Sequence, residues 1–113
     1  AIITKRTPKK QRGFIYIVGS GANGITENDG LKYCRLSSFR NYCSELERKL
    51  NINLERIDEP NPDGIGSHYR YRIRSQKDAQ KVINLINQRA NAGGYEGISK
   101  SQSELILSQY PTE

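Results

Sequence analysis

Apolar residues recur at helical spacing in two long segments of the chain. Between residues 39 and 50 they follow steps of four, three and four, which places Phe39, Cys43, Leu46 and Leu50 on one face of a helix. A second stripe follows Ser75, a good capping residue, and consists of Ala79, Val82, Ile83, Ile86 and Ala90. The pattern therefore predicts helices over residues 37–50 and over about 76–92, the second ended by Gly93-Gly94.

Alternating polar and apolar residues indicate a β-hairpin between these two helices. Residues 68–74 place Tyr69, Tyr71 and Ile73 on one side, and His68, Arg70, Arg72 and Arg74 on the other. Residues 51–57 also fit a strand. The segment between the two strands contains Pro60, Pro62 and Asp63-Gly64, which are typical of a loop.

The first third of the chain is less clear. Residues 14–18 are β-branched or aromatic, which favours a strand, whereas the Thr7-Pro8 start and the Gly19 stop favour a helix over 9–18. The residues alone leave this choice open. Thr26 and Asp29 are spaced as a capping box and predict a short helix to about residue 33, followed by a tight turn. A last amphipathic piece over 101–109 precedes an end that we expect to be frayed.

The predicted order places two helices joined by a tight turn before a β-hairpin, which is the winged helix-turn-helix plan. In the segments GITENDGLKYCRLSS (24–38), SELERKL (44–50) and HYRYRI (68–73), the chain resembles small winged-helix DNA-binding proteins of phages and mobile elements. The resemblance implies an α+β fold with three helices, a two-stranded wing and an additional C-terminal helix. It also favours a helix over 9–18. The expected parts are a basic arm (1–7), the domain (8–92) and a tail with a short helix (93–113).

Charge is concentrated in two parts of the chain. The net charge is +6, and residues 1–15 carry five positive charges and no negative one. Residues 61–92 carry six positive and two negative charges. Such basic segments are a plausible footprint for phosphate, and a solvated basic surface without a polyanionic partner is the alternative.

The outward face of the helix over 37–50 supplies the candidate base-reading residues, because arginine pairs with guanine and asparagine with adenine. They are Arg40, Asn41, Ser44 and Arg48, whereas Ser38 and the free amides at the helix start suit a phosphate. Phosphate contacts are expected from the wing (54–74), through Arg70, Arg72 and Arg74, and from the basic N-terminal segment, notably Lys9 and Lys10. Plain solvent exposure is the alternative for each of these residues. Glu45 and Glu47 weaken this face and are expected to point away or to pair with Lys49 and Arg48.

Sequence signals for catalysis and cofactors are weak. Residues 19–24 match G-x-G-x-x-G, but the dinucleotide fold needs a second parallel strand about 20 residues later, where residues 44–49 indicate a helix. Cys34, Cys43 and His68 fit no zinc spacing, and no catalytic triad is evident. We therefore expect a binding module without cofactor or metal and not an enzyme. The two cysteines and the lack of a membrane-length apolar run favour a reduced, cytoplasmic protein.

These observations predict a protein that binds double-stranded DNA, as a transcriptional regulator or as a DNA-architecture or accessory factor. The helix over 37–50 would enter the major groove, and the wing would lie on the backbone or in the minor groove. A protein-interaction module, such as an inhibitor or adaptor of a partner protein, and a structured-RNA binder remain alternatives. The stripe over 79–90 and the apolar patch over 105–110 suit a protein partner or a homodimer, although part of the stripe must cover the domain's own core.

Overall fold

The computed structural model describes residues 7–35 and 38–112, apart from the side chains of Tyr33 and Cys34. In that part of the chain it has an α+β fold with five α-helices and a three-stranded antiparallel sheet. The expectations for residues 1–6 of the arm and for Ser37, the first residue of the helix predicted over 37–50, lie outside the described residues. The elements are α1 (Lys9–Gly19), β1 (Ile25–Thr26), α2 (Glu27–Cys34), α3 (Phe39–Leu50), β2 (Glu55–Pro60), β3 (Ser67–Arg72), α4 (Gln76–Gly93) and α5 (Lys100–Leu107).

The helix α1 settles the choice that the sequence left open for residues 9–18. Phe14, Ile17 and Val18 are fully buried on one side of α1, so burial of this face outweighs the strand preference of its residues. Pro8, not Thr7, occupies the N-cap position, one residue later than expected. None of the helices in the described ranges is both long and apolar enough to span a membrane.

The local signals for α2 and α3 are confirmed. Thr26 Oγ1 accepts a hydrogen bond from the Asp29 amide at 3.0 Å, and the Thr26 amide donates to Asp29 Oδ2 at 3.1 Å. Arg35 then ends α2 in the left-handed conformation, with φ at 58°. The predicted stripe on α3 packs inward, since Phe39, Cys43 and Leu46 are buried and Leu50 is half-buried against the core.

The sheet has the order β1-β3-β2, so that β2 is an edge strand. Two features differ from the predictions. The short strand β1 was not predicted, and β2 begins at Glu55, later than the predicted strand over 51–57, with Ile52 and Leu54 buried in the core just before it. Tyr71 is buried, whereas Tyr69 on the same face of β3 is 51% exposed. The core therefore does not extend to the distal half of the hairpin.

The stripe on α4 is confirmed, but it does not form a free surface. Ala79, Val82, Ile83, Ile86 and Ala90 are all buried in the monomer, and Ser75 caps the helix by accepting from the Asp78 amide. The stripe covers the protein's own core and so gives no support to a homodimer, which stays a prediction.

The C-terminal segment also packs on this core instead of fraying. Tyr110 is buried, and its hydroxyl donates to the Val18 carbonyl at 2.6 Å. The backbone amide of Gln76 donates to the Pro111 carbonyl at 2.8 Å. These contacts tie the segment after α5 to α1 and to the start of α4.

The glycine-rich loop after α1 is shaped by close approach to the sheet. Gly21 and Gly24 have φ values of 60° and 63°, which favour glycine. A Cβ atom on Gly24 would collide with the carbonyl oxygen of Tyr71 in β3. The loop is thus fixed against β3 and leads directly into β1.

Replacement of Gly24 is a test of this close approach. Gly24→Ala should lower the free energy of unfolding by about 3 kcal/mol, through left-handed strain plus the backbone collision. Gly64→Ala is the matched control, because Gly64 has φ at 77° and a Cβ atom at this position would meet open space. It should cost about 1 kcal/mol. Urea unfolding measures both, and equal losses would show that the contact with Tyr71 contributes nothing.

Candidate nucleic-acid interface

The outward face of α3 brings together four of the predicted DNA-contacting residues, and the fifth, Ser38, lies just before the helix. Arg40, Asn41 and Arg48 are exposed, and Ser38 and Ser44 are half-buried. Within the described ranges, none of these five side chains makes a hydrogen bond or an ion pair. The helix starts at Phe39, so Arg40 and Asn41 lie in its first turn and Arg48 lies about two turns further on. The surface of α3 formed by Arg40, Asn41, Ser44 and Arg48 is called the α3 face below.

The two glutamates of α3 point away from the α3 face and are held by cations from other elements. Glu45 bonds Lys10 of α1 at 2.9 Å and Arg89 of α4 at 3.3 Å. Glu47 bonds Arg56 of β2 at 2.7 Å and accepts from the Leu54 amide at 2.9 Å. The expected partners Lys49 and Arg48 were wrong. The α3 face therefore keeps its positive charge, because neither carboxylate compensates it.

The pKa values of these carboxyls reflect their partners. The hydrogen bonds from Arg56 hold the pKa of Glu47 below its ordinary value, against the opposing effect of burial. Burial would raise the pKa of Glu45, but the hydrogen bonds and charges of Lys10 and Arg89 outweigh it and lower that pKa. Both groups are therefore ionised at neutral pH.

The wing arginines lie on one face of the hairpin, as predicted, but Arg70 and Arg72 have carboxylate partners across the sheet. Arg70 donates to Glu59 at 2.7 and 3.0 Å, and Arg72 donates to Glu55 at 2.8 Å. His68 contacts the same Glu59 at 3.2 Å. Arg74 follows β3, and its Nε donates to a backbone carbonyl. The charge of Arg70 and Arg72 is thus largely balanced inside the sheet.

The basic N-terminal segment reaches α3 through one residue. Lys10 contacts Glu45, whereas Lys9 is exposed and makes no ion pair with any described residue. Sequence reasoning missed Arg89, which joins the same carboxylate from α4, because no local pattern links positions 44 residues apart. It also missed the pairing of Arg70 and Arg72 with glutamates. Glu55 and Glu59 are an even number of residues apart, so they share one face of a strand, and this spacing could have indicated partners for arginines on the paired strand.

Other candidate sites are less developed. A cleft of about 600 Å³ lies between the start of α2 and the hairpin, where its lining includes Glu27, Asp29, Glu59, His68 and Arg70. Across the described part of the chain, no group of three or more histidine, cysteine or acidic residues is arranged to hold a metal ion. Burial raises the pKa of the Cys43 thiol, which keeps it protonated and weakly nucleophilic.

These features define a small α+β protein in which one helix presents an exposed cationic face. The chain belongs to the family described as "Uncharacterised protein PM1773", which matches residues 3–113. It is 27% identical over 86 residues to the Pasteurella multocida (strain Pm70) protein with that description. The match covers 76% of this chain and 61% of that relative, so the chain spans less than two thirds of the relative's length. No solved structure shows a significant match.

The pairing of Glu47 with Arg56 predicts a loss of stability in acid. A carboxyl with a lowered pKa in the folded state contributes stability above its unfolded pKa, and this contribution is lost as the pH falls through the folded value. The free energy of unfolding should therefore decline below about pH 5. Glu47→Gln should be less stable at pH 7 and should show a smaller decline.

Urea unfolding from pH 7 to about pH 3 measures this difference, since the carboxyls titrate in that range. Glu104→Gln is the control, because Glu104 is exposed on α5 and makes no ion pair within the described ranges. Its profile should follow the wild type. A Glu47→Gln profile parallel to that of the wild type would contradict the prediction.

Proposed function

We propose that the protein binds double-stranded DNA by inserting the α3 face into the major groove. The observation that carries this proposal is the exposed set of Arg40, Asn41 and Arg48, on a helix whose two glutamates are bound elsewhere in the domain. A regulator of transcription or a DNA-accessory factor is the class of protein that such a surface serves.

The order of the elements supports this proposal. Two helices, α2 and α3, are separated by a short segment and followed by the β2–β3 hairpin, in agreement with the winged helix-turn-helix plan. The strand β1 joins the hairpin from the segment between α1 and α2. With 12 residues, α3 is about 18 Å long, and its exposed side suits a groove about 12 Å wide.

The side chains of the α3 face have the chemistry for base reading. Asn41 can accept from and donate to adenine, and Arg40 can donate twice to guanine. Both lie near the N-terminus of the helix, where recognition helices contact base edges. Arg48 lies further along and suits either a base or a phosphate.

A protein partner is the second candidate function, and a separate surface favours it. A depression of about 370 Å³ is lined mainly by apolar side chains, including Ile15, Ile98, Leu105 and Ile106. Leu105 is 69% exposed there. This role would be favoured over DNA binding if the protein formed a complex with a partner protein whose affinity does not change with salt or with substitutions on the α3 face.

Asn41→Ala tests base reading on the α3 face. After selection of bound sequences from random duplex DNA, the variant should lose about 1–3 kcal/mol on the selected site and little on a scrambled site. Asn91→Ala is the matched control, since Asn91 is an exposed amide on α4 without a partner in the described residues. Fluorescence anisotropy measures both. Equal losses for Asn41→Ala on the two duplexes, or a wild type without sequence preference, would contradict base reading.

A further inference from the structure

We propose that the protein grips the DNA backbone on the α1–α4 side of α3, through Lys10 and Arg89 around Glu45, and not through Arg70 and Arg72 of the wing. This inference rests on the proposed function and names the surface that binds phosphate. The three residues come from α1, α4 and α3, and they are called the Glu45 cluster below.

The Glu45 cluster has more positive than negative charge. One carboxylate bonds two cations, so the cluster carries a net charge of +1. Lys10 remains 42% exposed and Arg89 26% exposed, whereas Glu45 is only 17% exposed. The two cations are thus more exposed to solvent than the carboxylate. An ammonium has three donors and a guanidinium has five, so both cations can bond Glu45 and still donate to a phosphate oxygen.

Arg89 is held in position before any ligand arrives. Its guanidinium lies over the ring of buried Phe14, 5.5 Å from the ring centroid, while its Nη2 donates to Glu45. A side chain fixed in this way loses little conformational freedom when it binds a ligand. Arginine fixed against a ring is also well suited to phosphate because its donors form a planar fork.

The Glu45 cluster directly adjoins the α3 face. Glu45 lies four residues after Asn41 and four before Lys49, which places each of them one helical turn away. Lys49 is exposed and adds a further cation on this side. When the α3 face occupies the groove, the neighbouring phosphates therefore meet Lys10, Lys49 and Arg89.

Arg70 and Arg72 of the wing offer much weaker phosphate binding. Arg70 commits Nε and Nη2 to Glu59 and Nη1 to the Asn23 carbonyl, and Arg72 is bonded in a similar way to Glu55 and the Ala22 carbonyl. A phosphate would have to displace these bonds. The distal hairpin, residues 57–69, also contains three acidic residues and no lysine or arginine. Its field opposes the approach of a polyanion.

The salt dependence of binding to one random-sequence duplex tests the assignment. The plot of log K, the association constant, against log salt concentration has a negative slope. In Lys10→Gln this slope should become shallower by about 0.9, because one fewer counterion is released on binding. Arg72→Gln is the matched wing variant and should leave the slope unchanged. Glu45→Gln removes the negative charge and should strengthen binding, an effect of opposite sign that loss of structure cannot produce.

Thermal unfolding of each variant accompanies the binding curves, so that affinities are compared only between folded proteins. A shallower salt dependence for Arg72→Gln, together with an unchanged salt dependence for Lys10→Gln, would overturn the inference while leaving DNA binding intact. So would weaker binding by folded Glu45→Gln. A wild-type protein that does not bind duplex DNA at low salt would instead overturn the proposed function, and this inference with it.

Discussion

The packing of α1 against α4 is the constraint on which the rest of the structure depends. Phe14, Ile17 and Val18 of α1 share one core with the buried residues of α4, and Gln11 Nε2 donates to the Ile86 carbonyl at 3.0 Å. This contact joins positions 75 residues apart. Because α3 is attached to both helices through Glu45, the orientation of its exposed face follows from the same packing.

Local sequence signals predicted much of the fold. The α3 stripe, the Thr26 and Ser75 caps and the alternation in β3 each depend on residues within one or two turns or one strand, so they can be interpreted without tertiary information. The choice between helix and strand for α1 could not be made in this way. Its β-branched residues are helical because α4 and α3 cover them, and no local pattern contains that information.

The candidate site likewise has a part that the sequence could predict and a part that it could not. The members of the α3 face were predictable, because helical periodicity determines which residues point away from the core. Their electrostatic setting was not. Counting charges along the chain gave equal weight to Arg72 and Arg89, whereas sheet register pairs Arg72 with one carboxylate and helix packing makes Arg89 share another with Lys10. Tertiary structure, and not composition, decides which cations retain their charge.

The edge position of β2 has a consequence for how copies of the protein meet. An edge strand leaves backbone donors and acceptors open, and such edges can pair with strands of other molecules. Here Arg56 and Asp58 occupy the exposed positions along β2, and Pro60 ends the strand without a donor. Charges and proline at these positions discourage strand addition. The hairpin can therefore remain solvent-exposed without acting as a template for aggregation.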